Sequence, residues 1–99
     1  MRELFHPTAE QMCLSTVLNA LGDPIRLQII KNLANQKETT CACCNIELTK
    51  SALSHHFKVL RESGIINVRI EGKQRFMSLR YDELNARFPG LLESVIRSI

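Results

Sequence analysis

At Gly64 the spacing of the apolar residues changes, and this change limits what the chain can fold into. Over 50–62, Leu53, His56, Phe57 and Leu60 recur at intervals of three and four, so a helix gathers them on one side. Beyond Gly64 the period drops to two: Ile66, Val68 and Ile70 alternate with Asn67 and Arg69, and Arg75, Met77 and Leu79 alternate with Phe76, Ser78 and Arg80. Glu71, Gly72 and Lys73 supply a turn between the two runs. The segment 65–80 is therefore predicted to be a β-hairpin that follows an amphipathic helix.

The rest of the chain reads as helices. Met12, Leu14, Val17, Leu18 and Leu21 lie at helical spacing over 8–21, and Gly22 fits a left-handed position closing that helix. Asp23 is a capping residue and Pro24 suits a first helical position, so a second helix runs over 24–35 with Ile25, Ile29, Ile30 and Leu33 toward a core. The polar residues 36–40 read as a loop, and 41–48 has no strong period. Thr49 is a natural cap for the helix that follows. A short helix over 82–88 and a last one over 89–99, with Leu91, Leu92, Val95, Ile96 and Ile99 on one stripe, close the chain. The whole is a mainly α (α+β) fold of five to six helices with a two-stranded hairpin wing. That element order describes a winged helix-turn-helix in one domain over 1–99.

Charge is confined to part of this frame. Residues 50–80 hold seven basic residues against Glu62 and Glu71, whereas the remaining positions hold six basic and eight acidic residues. A localised cationic segment is the footprint of a polyanion-binding surface. On the helix over 49–62, Ser51, Ser54, His55, Lys58 and Glu62 line the side opposite the apolar one, with Lys50 and Arg61 flanking it. One α-helix fits the major groove of B-form DNA, and these side chains can donate or accept at base edges. Lys73 and Arg75 at the hairpin tip suit phosphates or the adjacent minor groove. His56 lies toward the apolar side and reads as a hydrogen-bonded boundary histidine. Arg61, near the helix end, either complements the helix dipole or joins the contacts.

The segments ALGDPIRLQIIKNL (20–33), SALSHHFKVLRESG (51–64) and NVRIEGKQRFMSLR (67–80) resemble the ArsR/SmtB family of bacterial transcriptional regulators. The likeness rests on the Leu-Gly-Asp-Pro-x-Arg opening, the Ser-x-His-hydrophobe-x-x-Leu-Arg core of the third helix, the Gly-Ile after it and the Gly-x-x-Arg wing. It implies a homodimeric repressor that binds an inverted-repeat operator in double-stranded DNA and is released by a metal ion, metalloid or other signal. It also implies that Lys50, Ser51, Ser54, His55 and Lys58 sit in the major groove. The apolar stripes of helices 8–21 and 89–99 exceed what the core needs, and surplus apolar surface points to a dimer contact.

Cys41, Cys43 and Cys44 crowd one segment and Cys13 stands apart, so the cysteines read as metal-binding, redox-reactive or incidental rather than as a disulfide scaffold. Thiolates suit thiophilic metal ions and metalloids. By the resemblance, this cluster lies roughly where family sensors carry a Cys-x-Cys pair, although the flanking residues of that pattern are absent; the terminal helix offers only Glu93 of the family's other ligand set. No apolar run approaches the ~20 residues of a membrane helix, and Arg2, Glu3, His6 and Pro7 interrupt any secretory leader, so a cytoplasmic address is expected. No glycine-rich phosphate loop, paired-carboxylate motif or Cys–His arrangement points to an enzyme. The alternative is a winged-helix protein-interaction module, or a cysteine-based metal-binding protein, that never touches DNA.

Overall fold

The computed structural model describes residues 4–35, 38–40 and 48–99. A 3-10 turn, Ala9–Gln11, leads to helices α1 (Leu14–Leu21) and α2 (Pro24–Ala34). Strand β1 (Thr39–Thr40) precedes α3 (Lys50–Ser63), and strands β2 (Ile66–Glu71) and β3 (Gln74–Leu79) precede α4 (Tyr81–Arg87) and α5 (Leu91–Ser98). The sheet is antiparallel in the order β1-β3-β2. Ile29, Ile30 and Leu33 of α2 form the centre of the core with Val17, Ala20, Leu60, Ile65, Ile66 and Met77, all essentially inaccessible to water. Each of the larger side chains among these, Ala20 aside, contributes about 1.5–3 kcal/mol by leaving water.

The expected starts of the second and third helices hold. Asp23 Oδ1 accepts from the N–H groups of Ile25 and Arg26 at 2.8 and 3.2 Å, with Pro24 at the first helical position. Thr49 Oγ1 accepts from the Ala52 N–H at 3.1 Å, starting α3 one residue after the cap. The last two helices begin and end within a residue or two of expectation, with Pro89 and Gly90 forming the turn between them.

Four details differ from the sequence reading. The helix expected over 8–21 is split: Thr8 and Gln11 form a reciprocal capping box around Ala9–Gln11, and Met12 and Cys13 are extended. Met12 turns inward instead, only 2% exposed, and packs over Gly64. Gly64 takes φ 93°, a conformation that favours glycine, and a Cβ there would lie 2.8 Å from Met12 Cγ and Cε, so the methionine would have to shift. Gly22, expected to be left-handed, has φ −83° and closes α1 through its N–H to the Asn19 carbonyl at 3.2 Å. Thr39 and Thr40, expected in a loop, pair with Met77 and Phe76, so the wing hairpin is joined by a third strand. That short strand covers the edge of β3 that a two-stranded hairpin would leave open. Finally, the last apolar stripe is largely used within the chain: Leu92 is buried, and Leu91, Val95, Ile96 and Ile99 pack against the core.

The outer edge of β2 is held by the N-terminal segment. His6 Nε2 accepts from the Val68 N–H at 3.0 Å, and Nδ1 donates to the Leu4 carbonyl at 3.0 Å. Burial lowers the His6 pKa, the Leu4 hydrogen bond opposes this, and the nearby Arg61 and Arg80 charges lower it further. A neutral ring in the folded state and an ordinary value near 6.5 in the unfolded chain mean that the unfolded state takes up the proton first. Stability is therefore expected to hold above about pH 6.5 and to fall as the pH drops from there toward the lowered folded value. Urea denaturation from pH 7.5 to 5 should show this fall for the native chain and a smaller one for His6→Gln; equal falls would contradict it.

Candidate nucleic-acid interface

Helix α3 buries Leu60 and turns its polar side outward. Lys50, Ser51, Ser54, His55, Lys58 and Glu62 are all exposed, as the wheel predicts, and Arg61 is half-buried. Lys73 in the hairpin turn and Arg75 on β3 are exposed as well. The hairpin folds back beside α3, so Lys50, Ser54, Lys58 and Arg61 from the helix face Lys73 and Arg75 from the wing across one groove of about 490 Å³. Its apolar floor is Leu53, Phe57, Val68 and Met77, and no carboxylate lines it among the described residues. Ser51 and His55 lie outside that lining, on the exposed side of the same helix.

Two of the seven basic residues of segment 50–80 are removed from this surface by ion pairing. Arg69 Nη2 lies 2.8 Å from Glu38 Oε1, a second nitrogen pairs with Glu71, and the guanidinium stacks over the Phe76 ring at 4.6 Å from its centre. The pairing raises the Arg69 pKa, and the same hydrogen bonds lower that of Glu38. Arg80 pairs with Glu83 at 2.6 Å and donates to the Pro7 carbonyl at 2.6 Å, and its hydrogen bond lowers the Glu83 pKa. Lys50, Lys58, Arg61, Lys73 and Arg75 have no ion-pair partner among the described residues. The buried Nε of Arg61 has no hydrogen-bond partner either. Five cations without an ion-pair partner among the described residues thus line one concavity between a helix and a hairpin, an arrangement suited to a polyanion.

The profile described as "Bacterial regulatory protein, arsR family" matches residues 23–68. The HTH-type transcriptional regulator YceK of Bacillus subtilis is 38% identical over 84 residues, spanning 80% of this chain and 82% of that protein. The chain belongs to the ArsR family. The arsenical resistance operon repressor of Staphylococcus xylosus is 33% identical over 75 residues, covering 73% of this chain and 70% of the repressor. The solved structure of HlyU from Vibrio cholerae superposes with a TM-score of 0.70 at 30% identity, over 85% of this chain and 88% of that one. Like its relatives, this ArsR-family chain is a DNA-binding transcriptional regulator with the winged helix-turn-helix fold, and its family is one of regulators rather than enzymes.

Of the four candidate cysteines, Cys41, Cys43 and Cys44 lie outside the described residues. Among the described residues no three His, Cys, Asp or Glu side chains come together in a way that could hold a metal ion. Cys13 is exposed at the N-cap of α1. Its Sγ lies 3.2 Å from Ser15 Oγ, and hydrogen bonds from Ser15 and Thr16 lower its pKa to about 7. In a chain carrying serine at 41, 43 and 44, iodoacetamide should alkylate Cys13 at a rate that rises with pH through a midpoint near 7. A midpoint near the free-thiol value of about 8.5 would rule the activation out. No helix among the described residues is long and apolar enough to cross a membrane.

Proposed function

We propose that this regulator represses transcription as a homodimer bound to an inverted-repeat operator, with α3 of each protomer in a major groove and each wing against the flanking backbone. In this reading Ser51, Ser54 and His55 meet base edges, and Lys50 and Lys58 reach guanine edges or phosphates. Arg61, Lys73 and Arg75 neutralise phosphates. The observation that carries it is the set of five cations, without an ion-pair partner among the described residues, that face one another across the groove. The chain is then one domain whose recognition helix is 49–62 and whose wing is 65–80, acting in the cytoplasm where its DNA is.

The dimer reading draws on α1. Leu14 and Leu18 stand one helical turn apart and are each 48% exposed, which leaves an apolar strip for the equivalent strip of a second copy, alongside the terminal helix. A two-fold axis there would present two recognition helices to successive major grooves about 34 Å apart. The release signal we propose is thiol-directed, either a thiophilic metal ion or metalloid or an oxidant. The low pKa of Cys13, the Cys41, Cys43 and Cys44 cluster and the arsenical-resistance repressor among the relatives support this. Gel shifts of the DNA upstream of its own gene, with and without As(III), Cd(II), Zn(II) and peroxide, test binding and release together. Sedimentation at micromolar concentration tests the dimer. Nanomolar binding that weakens steeply with salt is expected. A monomer that ignores the fragment at low salt would overturn the reading, and stoichiometric zinc binding by such a chain would favour the alternative without DNA.

A further inference from the structure

The corner between α1 and α2 reaches the side of α3 that faces away from the groove, and a chain of polar contacts makes the connection. Arg26 folds its guanidinium back over the corner: Nε donates to the Ala20 carbonyl at 2.7 Å, and Nη2 to the Asn19 carbonyl at 3.3 Å. Those carbonyls belong to the last turn of α1, where the Asn19 carbonyl also accepts from the Gly22 N–H that closes the helix. The remaining arm, Nη1, lies 3.3 Å from Nδ1 of His56, in the middle of α3. Asp23 Oδ1, already held by two N–H groups at the start of α2, lies 4.0 Å from the same nitrogen. A guanidinium can only donate, so in this contact Nδ1 accepts and the ring carries its proton on Nε2. The His56 side chain is only 16% exposed, and the ring of His55, 5.9 Å away, already belongs to the outer face.

We propose that His56 is a positioning residue for DNA binding: its hydrogen bond to Arg26 sets the rotation of α3 about its own axis, and so the direction in which Ser54, His55 and Lys58 leave the body. This rests on the reading of α3 as the helix that enters the groove. The apolar contacts of Leu53, Phe57 and Leu60 hold α3 to the core, but burial has no directional preference. A planar guanidinium already anchored on two carbonyls of another helix does have one. The precision matters because a helix with its side chains is about 10–12 Å across, so a turn of roughly 20° moves an outer atom by about 2 Å. That displacement breaks a hydrogen bond whose length is confined to about 2.7–3.2 Å. Residue 56 thus shapes DNA affinity without touching DNA.

Two variants and one spectrum test this. His56→Asn places an amide oxygen near the position of Nδ1 and keeps the acceptor, whereas His56→Leu fills the space without one. With both variants folded by circular dichroism, the Leu variant should bind the upstream DNA fragment about tenfold more weakly than the native chain, and the Asn variant should recover most of that loss. In the native chain at neutral pH, nitrogen-15 spectra should show His56 protonated on Nε2 and not on Nδ1. A native chain that binds while the Leu variant binds equally well would overturn the positioning role alone, as would a proton on Nδ1. A native chain that does not bind would overturn the DNA reading and this inference with it.

Discussion

A chain carrying Lys73→Ala and Arg75→Ala should bind its DNA with a visibly flatter salt dependence. Each phosphate contact contributes about 0.9 to the slope of log affinity against log salt, and a homodimer that loses both cations from both wings loses up to about 3.6. The weakening should be nearly uniform across DNA sequences, because these side chains neutralise backbone rather than read bases. Arg69→Ala is the informative control. It removes a cation from the same wing, but one already held by Glu38 and Glu71 and stacked on Phe76, so the slope should change by well under one. If the double variant and the control shifted the slope alike, net charge rather than the groove would govern binding.

Leu60→Ala should be the most damaging single truncation in α3. Leu60 is fully buried and packs the inner side of the helix whose exposed side carries Ser51, Ser54, His55 and Lys58. Emptying such a site costs about 2–5 kcal/mol, against a total of about 5–15 kcal/mol for a typical domain. Urea denaturation at one fixed protein concentration, so that association does not shift the baseline, would measure it. A loss under about 1 kcal/mol would mean that α3 is not anchored through this residue. The expected order is therefore severe instability for Leu60→Ala, with DNA binding lost as a consequence, and intact stability with altered DNA binding for Lys73→Ala and Arg75→Ala.

Much of the frame can be read from short-range pattern. The helical period over 50–62 and the two-residue period after Gly64 correspond to α3, β2 and β3, and Asp23 and Thr49 cap the helices they were expected to cap. The exposed side of α3 carries the residues that the wheel assigns to it. These features depend on neighbours within about four positions, where the geometry of a helix or strand fixes who faces whom. Met12 misleads the same reasoning. Its spacing suits a continuous helix from 8 to 21, but its burial over Gly64, 52 positions later, breaks that helix in two. Thr39 and Thr40 show no alternation of their own, and only the open edge of β3 makes them a strand.

Periodicity and charge along the chain settled the order of elements, the two faces of α3 and the basic character of segment 50–80, because each is a property of residues close together in sequence. Folding settled which of those cations remain available. Glu38 comes from 31 positions away to neutralise Arg69, and Arg26 from 30 positions away to engage His56. A linear pattern carries no information about such pairings, since it is the packing of one element on another that brings the partners within hydrogen-bonding distance.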